Sequence, residues 1–399
     1  SDDPVAQCKA YMTQLRDIVP YLEYLPDLDP YPNDSRIKAV YFQGSDFRNK
    51  QTKVFAYLGL PENMDENTPG VILVHGGGGH AFNYWVKLWV DKGYAAIAFD
   101  TEGTTPNGVP DINDQYGNTV KWSKTKNFAG PSNDNFSSSN KDLNSQWMFH
   151  SVSSSILAKN LLEALGVDPN KIGITGISWG GIIIDATVKY YSDYAFIAPL
   201  YNSFFQSESL YSGHIQRYQN PKTITLWDAL EDDVKTIAAP VLMVNSDQDN
   251  TTLNTQNKAL KFLEDGYLSI YPGLMHGHIF NIPDIFNFAD KCVGKADSFV
   301  TNVSRTKEGN KLTETLNVPE GCTLKSATLY YLETPYTTAW TATHKGVNDN
   351  HVPWIKLPAT INGNTITVDI PQTADSYYLS VQYTTSNGTC YYTGDMVIN

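Results

Sequence analysis

The chain has 399 residues, 41% of them hydrophobic and 18% charged, which suits a folded globule with a polar surface and exceeds what one core organises. Its formal charge of −13, with no cluster of lysines and arginines, speaks against a phosphate-backbone partner, so no nucleic acid is expected. No run approaches the roughly 18 apolar residues of a spanning helix, so no membrane span is expected either.

The chain opens Ser1-Asp2-Asp3-Pro4, without a charged-then-apolar leader, so any export signal is expected to have been removed or never to have existed. Val5, Cys8, Met12, Leu15 and Val19 then recur at steps of three and four, the stripe of one helix, and a Pro-rich stretch runs from Pro20 to Pro32. From Ile37 the character changes. Two strand-like runs, one ending near Phe42 and one at Val54 to Leu58, precede the uninterrupted apolar run Val71 to Val74, and further runs follow at Tyr94 to Phe99, Ile172 to Ile177, Ala195 to Ala198, Val241 to Val244 and Leu268 to Tyr271. Such runs mark strands buried on both faces, and helix-compatible segments such as Met148 to Leu165 between them imply a mostly parallel sheet with helices on both sides. Residues 101–146 interrupt this rhythm with a long insertion rich in Gly, Asn, Ser and Pro.

After Phe299 the composition turns to Thr, Tyr and Val in short alternating runs, with Asn362-Gly363 and Asn387-Gly388 as turns, which predicts an immunoglobulin-like β-sandwich over residues 300–399. The domains expected are thus a helical and extended segment over 1–36, an α/β catalytic domain over 37–299 and the sandwich. Trp340 and Trp354 are its candidates for a sugar platform, through which polysaccharide or a surface would be contacted, although at least one is expected in its core. Of the four cysteines, Cys8 and Cys292 fall in the long N-terminal region before residue 300 and Cys322 and Cys390 in the C-terminal region, which allows pairing within each and favours a secreted or periplasmic setting.

Gly176-Ile177-Ser178-Trp179-Gly180 sits between the run Ile172 to Ile177 and the helix-compatible run Ile182 to Tyr190. A serine at such a strand-to-helix bend projects its hydroxyl from a strained backbone, and glycines on either side let strand and helix approach. The hydroxyl needs a base, expected downstream in the order acid, then histidine. Asp247 and Asp249 follow one predicted strand, and His276 and His278 follow another. Asp249 is preferred because it lies further out along its loop, with Asp247 left to bond loop amides. His276 is preferred to His278, although the turn Pro272-Gly273 brings both near the sheet edge. The run His75 to Gly79 supplies side-chain-free backbone for an oxyanion hole, formed by the amides of Gly76, Gly77 and Trp179. His150, Trp147, Trp122 and Phe128 are expected to line the substrate pocket, with Tyr116 and Phe136 as further insertion aromatics, and His214 reads as a loop residue without visible partners. The acidic stretch Asp111 to Asp114 lacks a calcium loop's third ligand, so neither metal nor cofactor is expected.

His75-Gly-Gly-Gly-Gly-His-Ala-Phe-Asn-Tyr-Trp-Val86, Gly93 to Asp100, the serine bend and Met275-His-Gly-His278 together resemble bacterial hydrolases of the acetyl xylan esterase-like, prolyl oligopeptidase-like and dienelactone hydrolase-like groups, over about Ile37 to Lys295. The resemblance implies the α/β-hydrolase fold, a triad of Ser178, Asp249 and His276, and the glycine run as oxyanion loop. The aromatic residue after the oxyanion His-Gly and the Arg-Gly-Gln motif of the multimeric acetyl xylan and cephalosporin-C deacetylases are missing. The expected activity is a serine carboxylic ester hydrolase acting on a small ester or an acylated saccharide, such as an acetyl or feruloyl ester. The alternatives are a serine exopeptidase of the prolyl oligopeptidase or dipeptidyl peptidase type, for whose propeller gate the chain has no repeat, and an inactive carbohydrate- or surface-binding protein.

Overall fold

The apolar runs assemble into one twisted sheet in a computed structural model that describes residues 2–344 and 351–399. Its strands are β1 (Leu22–Tyr24), β2 (Ile37–Phe47), β3 (Lys50–Gly59), β4 (Gly70–Val74), β5 (Ala95–Phe99), β8 (Ile172–Ile177), β9 (Ile197–Leu200), β10 (Val241–Ser246) and β11 (Gly266–Tyr271). A separate ribbon of β6 (Thr104–Pro106) and β7 (Trp122–Lys124) lies within the insertion. The sheet order is β1-β2-β3-β5-β4-β8-β9-β10-β11, antiparallel from β1 to β5 and parallel from β5 onward.

Alternate residues of each central strand face opposite cores. Ile72 and Val74 pack into one with Ile156 of helix Trp147–Ala164 and Ile183 of helix Trp179–Val188. Val71 and Leu73 pack into the other with Trp85 and Trp89 of helix Asn83–Val90 and Phe286 of helix Pro283–Cys292. Full burial on both faces is why these strands read as continuous apolar runs, each such side chain contributing about 1.5–3 kcal/mol of transfer free energy.

The N-terminal helix spans Pro4–Leu15, capped by the Asp3 carboxylate, and buries Cys8, Met12 and Leu15. It stops short of Val19, which is 71% exposed, because the Asn160 side-chain amide donates to the carbonyls of Leu15 and Ile18 and turns the chain away. The Pro-rich stretch is not wholly irregular, since β1 within it pairs with Val40 to Phe42 of β2.

Two four-stranded antiparallel sheets make up the C-terminal region, one of 301–308, 311–317, 365–369 and 360–362, the other of 355–358, 323–332, 376–385 and 388–397. Leu312, Ile366, Leu329 and Leu379 join the sheets in one cluster. Strand 388–397 runs beside the sheet edge at β11, where the buried Asp284 carboxylate accepts from Tyr271 Oη, from Ser269 Oγ and from the Tyr391 amide. Covering that edge removes an exposed row of strand donors and acceptors.

Trp340 and Trp354 offer no sugar platform. Trp340 is buried in the helix-side core of the large domain, and Trp354 stacks on Tyr336 and meets the edge of Tyr378. Both turn inward because helix Tyr336–Thr343 and the stretch from Val352 to Trp354 pack on the large domain, so neither belongs to the cluster between the two C-terminal sheets. The four cysteines are all free thiols, and pairing within each region is not made. They sit on separate elements, with Cys8 in the first helix, Cys292 ending helix Pro283–Cys292 and Cys390 on the last strand.

Because Tyr330, Tyr336, Trp340 and Tyr378 complete the core of the large domain, a chain ended at Phe299 is expected to precipitate or to melt at least about 10 °C lower than the whole chain, several kcal/mol of lost burial. Matching melting curves would instead mean that the two parts unfold independently.

Candidate active site

Ser178 joins β8 to helix Trp179–Val188 with φ 56° and ψ −112°, a backbone conformation that a residue with a side chain adopts only under strain. Its neighbours explain why it stays there. A Cβ on Gly176 would lie 2.5 Å from the carbonyl oxygen of Gly180, and one on Gly180 would lie 2.1 Å from that of Val74. Any side chain at either position drives strand and helix apart and relaxes the bend.

The Ser178 hydroxyl donates to His276 Nε2 across 2.8 Å, and His276 Nδ1 donates to Asp249 Oδ2 across 2.7 Å. His276 follows β11 and Asp249 follows β10, so both loops leave the same end of the sheet as the serine bend. The Asp249 carboxylate is fully buried, and its other oxygen accepts from the Thr251 amide and hydroxyl at 2.8 and 2.7 Å. Asp247 has a different task, accepting from the Gly273 amide at 2.7 Å and thereby tying the aspartate loop to the histidine loop. Tyr201, just past β9, stacks its ring on His276 at 4.4 Å and donates its hydroxyl to the Met275 carbonyl. The C-terminal region grips the aspartate loop as well. Trp354 Nε1 donates to the Asp247 carbonyl, Gln248 Nε2 donates to that of Val352, and the Leu253 amide donates to Tyr336 Oη.

His278 lies over the glycine run instead of beside the serine. Its Nε2 accepts from the Gly76 amide at 3.0 Å, so that amide is already occupied. Among the described residues the amides of Gly77 and Trp179 donate to no acceptor, the latter because it opens a helix. His75 Nδ1 donates to the Gly76 carbonyl, and its Nε2 accepts from the Thr101 amide, which anchors the glycine run to the start of the insertion. Burial holds His75 down to about 3, and burial with the nearby His80 and His276 imidazoles holds His278 down to about 4. Both are neutral near pH 7, which is what leaves each a nitrogen able to accept from an amide.

Among solved structures, an acetyl xylan esterase from Paenibacillus sp. R4 is 17% identical over 73% of this chain and 95% of that one, with a TM-score of 0.53. Acetyl xylan esterase 1 from Thermoanaerobacterium sp. JW/SL YS485 is 15% identical over 73% of this chain and 95% of that one, with a TM-score of 0.51. The fold is that of the α/β hydrolases. No protein-family model matches the sequence, and no curated protein matches it.

On this α/β-hydrolase fold, the segment between β9 and β10 makes a helical cap over the serine, including the short helix Ser212–Arg217. A cavity of about 120 Å³ lies between them, lined by Ser178, Trp179, Ile182, Asn202, Tyr211, His214, Arg217, Asn250 and His276. His214 is thus no loop residue, being buried in that helix with its ring against Tyr211, and burial holds it down to about 3. A wider cleft of about 550 Å³ beside Tyr11, Gln43, Ser45 and Asp46 contains none of these groups.

The four aromatic and imidazole groups expected to line the pocket lie elsewhere. His150 is buried at the start of helix Trp147–Ala164, with Nε2 bound to the Asn144 carbonyl. Trp147 donates its indole N–H to the Thr101 carbonyl and backs Trp179 edge-on at 5.3 Å. Trp122 stacks on His80, and Phe128 is exposed beneath the Lys53 ammonium. All four anchor the insertion to the domain. The insertion reaches the site through Asn135 and Phe136, both at positive φ, with Phe136 against Trp179 and Asn135 Oδ1 accepting from Arg217 Nε. No local pattern marks Asn202, His214, Arg217 or Asn250; only their place in segments that follow strand ends, where α/β sheets bind ligands, distinguishes them.

A histidine held below its unfolded value of about 6.5 leaves the unfolded chain binding more protons, so stability is lost as pH falls from about 6.5 toward 4. His278→Gln stays neutral across that window, and its stability is expected to decline less than the parent's by at most about 3 kcal/mol. Urea melts of both proteins at pH 7 and pH 4.5 measure the difference; equal declines would mean that His278 titrates normally in the folded chain.

Proposed function

We propose that the chain is a serine esterase that forms an acyl-enzyme on Ser178. The observation that carries this reading is the continuous chain of hydrogen bonds from the strained Ser178 hydroxyl through His276 to the buried Asp249 carboxylate. His276 Nε2 takes the serine proton as Oγ attacks the ester carbonyl, and Asp249 steadies the imidazolium without taking the proton itself. The oxyanion forms beside the amides of Gly77 and Trp179, each such donor contributing roughly 3 kcal/mol to the transition state. Collapse breaks the bond to the alcohol oxygen, which leaves with the proton from His276. Water then attacks the acyl-enzyme by the same route, releasing the acid and restoring the serine.

The room beside the serine favours a short acyl group. With a cavity of about 120 Å³ beside Ser178, a small acyl group such as acetyl is accommodated more readily than a feruloyl ring system. The expected substrates are therefore acetyl or similarly short esters, on a small alcohol or a saccharide. The cysteines that favoured a secreted or periplasmic setting are free thiols and do not support it.

Ser178→Ala is expected to lower kcat/KM for 4-nitrophenyl acetate by a factor on the order of a million, and Asp249→Asn by about ten thousand. In a panel of acetyl, octanoyl and feruloyl esters beside dipeptidyl anilides, acetyl esters should be turned over fastest. Cleavage of the anilides with no ester turnover would make the chain a peptidase, and binding without turnover of either would make it a binding protein.

A further inference from the structure

Arg217 brings a positive charge into the cavity at Ser178 with nothing of opposite sign to meet it. Its guanidinium lies over the Trp179 ring at 4.8 Å from the centroid, and its Nε donates to Asn135 Oδ1 at 3.3 Å. The remaining N–H groups, on the two terminal nitrogens, donate to no acceptor among the described residues. No carboxylate lines the cavity among the described residues, and Asp249 is held by His276 and Thr251. Burial pulls the Arg217 pKa below its usual value, and the groups that oppose this are only the phenols of Tyr211 and Tyr218. Arg217 is half-buried, and even partial withdrawal of a guanidinium from water without a counter-charge is unfavourable.

The walls around it are also incomplete. Asn202 Oδ1, Asn250 Oδ1 and His214 Nδ1 are buried without a hydrogen-bond partner, on side chains that are each at least nine-tenths buried and line the same cavity. Buried polar atoms are nearly always satisfied, and a group of them around one cavity fits a site whose missing partners arrive with the ligand. A planar guanidinium with both terminal nitrogens free is shaped to receive the two oxygens of a carboxylate.

We infer that Arg217 is a specificity-determining residue and that the substrate is an ester carrying a carboxylate close to the bond that Ser178 attacks. This inference rests on the esterase reading above and names its substrate class. The carboxylate can belong to the acyl part, as in a dicarboxylic half-ester, or to the alcohol part, as in an acylated hydroxy acid. Arg217 binds either in the same way, and the carboxamide oxygens of Asn202 and Asn250 accept from donors on the rest of the ligand, such as the hydroxyls of its alcohol part.

The test compares two pairs of esters on the whole chain: 4-nitrophenyl acetate with mono-(4-nitrophenyl) succinate, whose carboxylate is on the acyl side, and phenyl acetate with 4-acetoxybenzoate, whose carboxylate is on the alcohol side. In the parent protein kcat/KM should favour the charged member of one pair by about tenfold or more, the size of one charge-assisted hydrogen bond. The pair that shows the preference identifies the side. Arg217→Met keeps the stem over Trp179 and removes the charge. It should lower that ratio by about tenfold, mainly through KM, and Arg217→Lys should restore part of it. A parent protein with no preference in either pair, or a ratio unchanged in Arg217→Met, overturns the carboxylate site. Ser178→Ala separates this from the reading beneath it: if that variant still hydrolyses 4-nitrophenyl acetate at the parent rate, the esterase reading itself fails.

Discussion

Everything in the site is built around one residue held in a backbone conformation that its side chain disfavours. Ser178 at φ 56° is strained by roughly 1–3 kcal/mol, and it persists because relaxation is blocked on both sides. The strand carrying Gly176 and the helix carrying Gly180 are packed so closely that neither glycine has room for a single extra carbon. The burial of β4 and β8 between two helix layers provides the force that keeps them there. A hydroxyl aimed at the imidazole is thus a consequence of core packing several residues away.

The two long-range partners of that serine are positioned by a second set of constraints. Asp247 fastens the aspartate loop to the turn before His276, Tyr201 lies flat against the imidazole, and Thr251 occupies the carboxylate oxygen that faces away from it. Three nearby histidines divide the work through burial. His276 keeps partial access to solvent and the cavity, while His278 and His75 are held neutral and use their lone pairs to shape the glycine run. Identical side chains thus take two roles according to how much water each retains.

The C-terminal sheets belong to this machinery more closely than a tethered accessory domain would. Tyr336, Val352 and Trp354 reach the loop from Asp247 to Leu253, and the last strand shields the exposed side of β11, whose continuation carries His276. The loops holding the acid and the base of the hydrogen-bonded chain are therefore braced from outside the domain that supplies the serine. Of the two tryptophans offered for carbohydrate contact, Trp354 is used for this bracing and Trp340 is buried in the core of the large domain.

What the sequence by itself determined was whatever depends on near neighbours in the chain. Short continuous apolar runs alternating with helix-compatible segments read as strands covered on both faces, and a serine between glycines at a strand-to-helix junction fits a strained bend, so the sheet and Ser178 were legible from the sequence. The choice between His276 and His278 was not, because two residues apart on one loop they differ only in what the fold brings against each. The same holds for the cavity: Arg217, His214, Asn202 and Asn250 come from three segments with no local signature, and the insertion aromatics that looked like a pocket were needed to anchor a long polar loop. The cysteines allowed pairing by number and position, yet the tertiary fold leaves each on a separate element as a free thiol. Those decisions belong to tertiary structure, since they turn on distances and burial between residues far apart in sequence, and no pattern along the chain encodes them.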